Sequence, residues 1–483
     1  MPTPLLKDSA RPSKRLDLSK FDKNVNPTSP ARIAAGHAVS RRNSEGLLQS
    51  TALPRSPKRS PTAGTVAGLF FPQREALGLE QREYSPGVIA QLVLLGGEVR
   101  SFARASAVFV RISGNKVSAK TIERLTEQIG TELVDHRDSG QDSAFHRTIE
   151  EPPETVTVQC DGGRIMTRAA DAGPGVHDQA WKETKCATFH RMTHHSFDED
   201  PQPDLPPAFR DRKKVAELAE TGYFESTSDG EEESGSSKDT TANESTKSEE
   251  KPPRPRPLHR TCLASMVCSV VFGAQMEREA IRRRFFEAIN RAFLGDGLPW
   301  NWSIHAKHFK DFIPILDFIH AVSYLYSAAV VMKPDDPEAS WELYLELAQM
   351  SWSGQADEVL NVLEKHLQSA GIDPESKCAK GTELYDVHVA YRYLSNNRTR
   401  MDYPRYRMQG LPVTSSLMES MVKQINQRAK GTEMFWCRGQ GAESILQVRA
   451  AVLCDDDRLQ DYLAKRPGRA TVRPPKTEPQ LAA

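Results

Sequence analysis

Four widely separated acids in this chain could do chemistry together. Asp161 follows the run Val156-Thr157-Val158-Gln159-Cys160 and precedes Gly162-Gly163-Arg164. β-branched residues at alternate positions favour a strand, and the paired glycines are expected to end it. The carboxylate then stands at the carboxyl edge of a sheet, where α/β proteins place their ligands. Asp296 ends the apolar run Ala292-Phe293-Leu294 between Gly295 and Gly297, and Asp317 ends Ile313-Pro314-Ile315-Leu316, three residues before His320. Glu419 lies in a helical segment. At about 100° per residue, Lys423, Asn426 and Lys430 share its narrow face, while Met418, Val422, Ile425 and Ala429 share a neighbouring one.

Carboxylates suit hard cations such as Mg²⁺ (or Mn²⁺). Two such ions held by a few acids can activate a water or a 3′-hydroxyl and stabilise the leaving oxygen during in-line attack on a phosphodiester. Lys423 and Lys430 would then neutralise phosphates beside the site. Each signal alone has a plainer reading: an Asp-Gly turn, or an ordinary i,i+4 Glu–Lys pair on a solvated helix face. Asp317 fits a third metal ligand, a brace behind the others, or a helix cap. His190, His194 and His195 form a His-rich patch, but no Cys/His pair at matching spacing completes a zinc site.

The elements that must position these acids follow from pattern. Ile89, Leu92, Val93 and Leu94 start a short helix, Val99–Val110 can form another, and Ser118 can cap a third carrying Ile122, Leu125, Ile129 and Leu133 at helical period. With a turn at Ser113-Gly114-Asn115-Lys116, residues 85–145 resemble a helix-turn-helix unit, an arrangement also common in purely structural bundles. Strands are expected at the Asp161 run, at Lys185–Met192 and at His259–Val271. An amphipathic helix is expected over Met276–Phe293, with Arg282-Arg283-Arg284 on its surface, and another from His320 to Met332. Residues 198–257 read as an insertion, with a disordered acidic loop from Ser226 to Glu250. Residues 334–399 carry helical periodicity throughout.

The chain has 483 residues, room for two or three domains, and its 64 Lys plus Arg balance 64 Asp plus Glu. Net charge therefore says nothing about partners, but its distribution does. Residues 1–60 hold 12 basic residues against four acids, so 1–84 reads as a disordered basic arm, either a solvated tail or a salt-sensitive phosphate contact. Residues 465–483 read as a disordered tail. Seven cysteines without a CxxC pair suggest a reducing compartment. The N-terminus lacks an apolar signal-peptide core, and the apolar runs Cys262–Val271 and Ala328–Met332 fall short of the ~20 residues that span a bilayer. A soluble, cytoplasmic protein without a membrane partner is expected.

Several blocks in fixed order resemble the bacterial insertion-sequence DDE transposases of the Kra-type family. They are Cys160-Asp161-Gly162-Gly163-Arg164, Gly173-Pro174-Gly175-Val176-His177, Trp181-Lys182-Glu183, Gly295-Asp296-Gly297-Leu298, Trp300-Asn301-Trp302 and Ile315-Leu316-Asp317-Phe318-Ile319-His320. The last runs from Met401-Asp402-Tyr403-Pro404-Arg405-Tyr406 through Leu411-Pro412-Val413-Thr414 and Glu419 to Lys430-Gly431-Thr432-Glu433 and Trp436. The similarity covers roughly residues 85–460. It implies an α/β chain whose RNase H-like mixed sheet, flanked by helices, spans 150–333 and 400–460. An all-helical insertion at 334–399 and an N-terminal helix-turn-helix-like unit complete that picture.

The resemblance also implies cleavage and strand transfer at the ends of an inserted element, with Asp161 first and Glu419 last among the catalytic acids. By analogy with the Mutator-like superfamily, Asp296 is favoured as the second acid and metal ligand, with Asp317 auxiliary. DNA ends and target DNA would be the partners, held by a homo-multimer in the bacterial nucleoid. Expected DNA contacts are Lys423, Lys430, Arg164, Lys120 and Arg124. The rivals are a non-catalytic DNA-binding derivative and an RNase H-like nuclease that does not join ends.

Overall fold

Alternating Val156 and Val158 put the Asp161 run at the centre of a five-stranded sheet. The computed structural model describes residues 84–139, 151–168, 180–221, 254–377, 380–430, 436 and 439–466, all within one compact unit, Thr51–Ala483. Its strands are β1 (Thr155–Thr167), β2 (Ala180–Met192), β3 (Pro257–Ser265), β4 (Asn290–Gly295) and β5 (Ile313–Leu316), in the order β3-β2-β1-β4-β5. β1, β2 and β3 form an antiparallel meander, whereas β4 and β5 add to the other edge of β1 in parallel.

The helices are α1 (Pro86–Glu98), α2 (Phe102–Ser113), α3 (Ala119–Ser139), α4 (Arg212–Thr221), α5 (Ser269–Arg282), α6 (Pro299–His308) and α7 (Phe318–Met332). They continue as α8 (Pro337–Trp352), α9 (Ala356–Ser369), α10 (Tyr385–Asn397), α11 (Tyr403–Met408), α12 (Ser416–Ala429), α13 (Gly439–Val452) and α14 (Arg458–Lys465). The chain is thus mixed α/β, with both sheet faces covered. On one face Val156, Val158, Cys160, Phe189 and Phe293 pack against Phe272 and Met276 of α5 and Ile304 of α6. On the other, Ala292, Leu294 and Ile315 share a core with α7 to α11, while Cys186, Cys262 and Ala264 lie under Met418, Val422 and Ile425 of α12. No helix among the described residues is long and apolar enough to cross a membrane.

Several expectations need correction. The paired glycines do not end β1: Gly162 and Gly163 pair with Lys185 and Thr184 and the strand runs on to Thr167. At Gly163 a Cβ would come within 2.9 Å of Thr184 Oγ1, so a side chain there would make the threonine shift. The third strand stops at Ser265 instead of Val271, and Cys268 caps α5. That helix ends at Arg282, not Phe293, because Arg284 turns left-handed at φ 57° and residues 290–295 are strand β4. Arg283 is buried, not on the surface.

The 198–257 segment is not one disordered insertion. Leu205, Phe209, Val215 and Leu218 are buried in the core of α7 and α8, and Tyr344 donates to the Phe209 carbonyl at 3.0 Å. The acidic run Ser226 to Glu250, the block Gly173 to His177, Gly431 to Glu433, the tail beyond residue 466 and all of the basic arm before Tyr84 lie outside the described residues.

The three N-terminal helices form as expected, with Gly114 closing α2 at φ 71° and the Ser118 hydroxyl accepting from Thr121 N–H at 3.0 Å. They are not a free-standing 85–145 unit. Leu92, Ile122 and Ile129 share one core with Val448 of α13 and Leu459 and Tyr462 of α14. Gly130 lets α3 meet α13 backbone to backbone, since a Cβ there would lie 2.1 Å from the Ser444 carbonyl oxygen.

Candidate active site

The parallel ladder aligns Cys160 with Gly295 and Gly295 with Leu316. The next residue on each strand is an acid: Asp161, Asp296 and Asp317. Neighbouring strands run about 4.8 Å apart, so the ladder's end places three carboxylate-bearing residues in one row across β1, β4 and β5. The fourth acid, Glu419, is in the first turn of α12 and buried, with Met418 and Val422 anchoring that helix on the sheet. Lys423 and Lys430 are exposed beyond it, and the Lys430 ammonium lies 5.8 Å from the Trp181 ring centre. The helix therefore turns its acid inward and its lysines outward.

The three strand-end acids are held differently. Asp161 Oδ1 accepts from the adjoining Gly162 N–H at 2.6 Å. Asp296 Oδ1 accepts from Leu298 N–H at 2.9 Å and from the Asn301 amide, and its carbonyl accepts from the Tyr393 hydroxyl at 2.7 Å. Asp317 is fully buried and caps α7 by accepting from Ile319 N–H at 3.2 Å. It also accepts from Ser415 N–H at 2.9 Å and from the Ser415 hydroxyl at 2.6 Å. Ser415 is the N-cap of α12. Asp317 thus ties the start of α7 to the start of the Glu419 helix, and the cap reading of its sequence is realised.

Electrostatics binds the group together. Burial, and next the neighbouring Asp296, raise the Asp161 carboxyl to about 7, with the His320 charge and the Gly162 N–H opposing. Burial likewise raises Asp296 against the Leu298 N–H and His320. Burial alone would lower the His320 imidazole, but Asp317, Asp296, Asp161 and Glu419 outweigh it and hold its pKa above the usual value. His320 Nε2 stands 3.7 Å from Asp317 Oδ2. One imidazole thus faces four acids that favour its protonated form.

A carboxyl whose pKa is raised in the folded state binds more protons folded than unfolded between pH 3.8 and about 7. Its contribution to stability is complete below that window and is lost as pH rises through it.

Among the described residues, no group of three or more His, Cys, Asp and Glu side chains is arranged to hold a metal ion. The donor set nevertheless suits a divalent cation. Asp161, on β1 just past the end of its ladder to β4, and Asp296, just past the end of β4, are hard oxygen donors, each destabilised as an anion by burial, and the row's excess negative charge is what a cation would remove. Asp317 has its oxygens committed to Ser415 and Ile319, which makes it the poorer ligand. His190 is buried with neither ring nitrogen hydrogen-bonded, and burial lowers it to about 4. His194 instead meets the Thr155 hydroxyl at 2.9 Å. The His-rich patch does not converge.

Of the remaining expected residues, Arg164 is exposed on β1 opposite Glu183. Lys120 and Arg124 are exposed on α3, far along the chain from the acids. Sequence reasoning missed Asn301, Ser415 and Tyr393, and also Lys185, whose ammonium lies 5.7 Å from the centre of the Trp300 ring that borders Gly162. Asn301 could have been found from its place in the first turn after Asp296. Ser415 could not, because only the tertiary fold brings it to Asp317.

No family model and no curated protein matches this chain.

Proposed function

We propose that the chain is a DDE-type DNA transposase with an RNase H-like catalytic domain, in which Asp161, Asp296 and Glu419 are the catalytic acids for Mg²⁺ (or Mn²⁺). The observation that carries this reading is the shared register: the parallel ladder ends at Cys160, Gly295 and Leu316, and an acid follows on every strand. A meander extended in parallel at one edge supports the RNase H-like assignment. Bound by these acids, two divalent ions would activate first a water at the element's end and then the freed 3′-hydroxyl.

The chain's own residues do the rest. Asn301 and the Leu298 N–H fix the Asp296 carboxylate. Asp317 holds the first turn of α12, and so the place of Glu419, through Ser415. The His320 cation offsets charge in the row. Lys423 and Lys430, both exposed, would meet phosphates flanking the cut. Lys120 and Arg124 on α3 would contact DNA outside the site, in a helix-turn-helix-like role. Joining two ends to a target requires a homo-multimer, acting on DNA in the bacterial nucleoid.

The test is nicking of supercoiled plasmid carrying candidate element ends. Wild-type protein is expected to nick with Mg²⁺ and not with EDTA, and Glu419→Gln to lose nicking while still retarding the DNA. Equal nicking by Glu419→Gln would remove Glu419 from the mechanism.

A further inference from the structure

A cleft of about 810 Å³ opens between α2, α3 and the start of α13, away from the carboxylate row. Lys120, Glu123, Arg124 and Glu127 line it from one face of α3, and Arg428 lines it from the last turn of α12. Arg428 is only 1% exposed. Its Nε donates to the Gly96 carbonyl at 2.7 Å, and its guanidinium stacks on the Phe102 ring at 4.4 Å, with Trp436 at 5.6 Å. Its Nη2, buried, has no hydrogen-bond partner.

Leaving such a donor unsatisfied is costly, more so for a charged group. Burial, and next Arg449, lower the Arg428 pKa to about 10, so it stays cationic at neutral pH. Glu123, whose charge favours the Arg428 cation, is itself bound to Lys120 at 3.0 Å. A buried guanidinium with a spare donor, flanked by two exposed cations one helical turn apart, is a setting that favours phosphate oxygens.

We infer that this cleft is a phosphate-binding site, with Arg428 as its buried seat and Lys120 and Arg124 at its mouth. Resting on the transposase reading, it deepens that reading by naming an anchor on the same helix as Glu419. Nine residues of α12 separate Glu419 from Arg428, a rise of roughly 14 Å. Nine steps of about 100° also turn Arg428 to the helix face opposite Glu419, so a backbone phosphate held at Arg428 would anchor the nucleic acid outside the acid row.

The experiment measures binding without metal, so it is blind to whether the acids catalyse. Full-length protein is titrated with a 20-base-pair duplex and, separately, with inorganic pyrophosphate, across a salt series. Lys120→Ala/Arg124→Ala is expected to weaken duplex binding at least tenfold and to reduce the salt slope by about 2. Arg428→Ala should weaken it similarly, with Arg428→Lys recovering part of the loss. If Arg428→Ala does not fold by circular dichroism, the double variant and Arg428→Lys decide. Duplex binding lost in the variants assigns the seat to a DNA phosphate. Pyrophosphate binding lost in them, with duplex binding untouched, keeps the seat and makes its ligand a free phosphate ester. Unchanged affinity for both ligands in the double variant and in Arg428→Lys overturns the inference.

Discussion

Asp161→Asn will abolish Mg²⁺-dependent nicking, a loss on the order of 10³ or more, equivalent to at least about 4 kcal/mol of barrier. The same change will make the metal-free protein more stable above pH 7. In the wild type, burial and Asp296 raise this carboxyl to about 7, so holding it ionised at pH 8 costs folding free energy. Allowing for its partial exposure, the asparagine variant should gain about 2 kcal/mol at pH 8 and nothing at pH 3. Asp296→Asn should behave alike in both respects.

Asp317→Asn separates ligand from brace. Asparagine can still cap α7, but its amide nitrogen cannot accept from the Ser415 hydroxyl, so Glu419 shifts without any primary acid being lost. A reduction of roughly 10–100-fold is expected, the scale for partners that orient ligands. Nicking rates and melting curves over pH 3–9 for the three variants check this. Complete loss in Asp317→Asn together with residual activity in Asp296→Asn would exchange their roles.

The largest stability effect is expected far from the acids. Glu279 on α5 is fully buried and accepts from Arg458 at 2.6 Å and from Arg283 Nε at 3.3 Å, with Arg282 3.6 Å away. Asp456 completes the group, bound to Arg283 and to Arg458 Nε at 2.9 Å. Burial alone would raise Glu279, but Arg458, Arg283 and Arg282 hold it well below the usual carboxylate range. Its contribution is therefore present above the ordinary glutamate pKa and is lost as pH falls below it. Glu279→Ala leaves two buried guanidinium groups sharing one carboxylate and should cost about 3–5 kcal/mol in urea unfolding at pH 7. A cost below about 1 kcal/mol would mean that water reaches the group and screens it.

The sequence shows local pattern well and long-range pairing poorly. The Asp161 strand, the Asp296 and Asp317 strand ends and the two faces of the Glu419 helix were legible because each rests on a local run or period, although β1 does not end at Asp161. That Cys160, Gly295 and Leu316 lie in one register was not, since a ladder between distant strands leaves no local trace. Glycines misled at Gly162-Gly163, where they serve hairpin packing against Thr184 instead of a turn. The Arg282-Arg283-Arg284 run read as a solvated face because the partners of Arg283 include Asp456, distant in sequence. Residues 198–221 read as loop because Leu205, Phe209, Val215 and Leu218 are too sparse to show a period, although each finds a place beside α7 and α8.

The central claim is that this carboxylate row performs phosphoryl transfer with joining. The most direct measurement is strand transfer of a labelled duplex, ending in a 3′-hydroxyl and carrying the element's terminal sequence, into plasmid DNA. With Mg²⁺ the wild type should yield labelled open circles, and Asp161→Asn, Asp296→Asn and Glu419→Gln none. Labelled product of equal yield from the three variants, or cleavage by the wild type with no joined product at any Mg²⁺ or Mn²⁺ concentration, would contradict it.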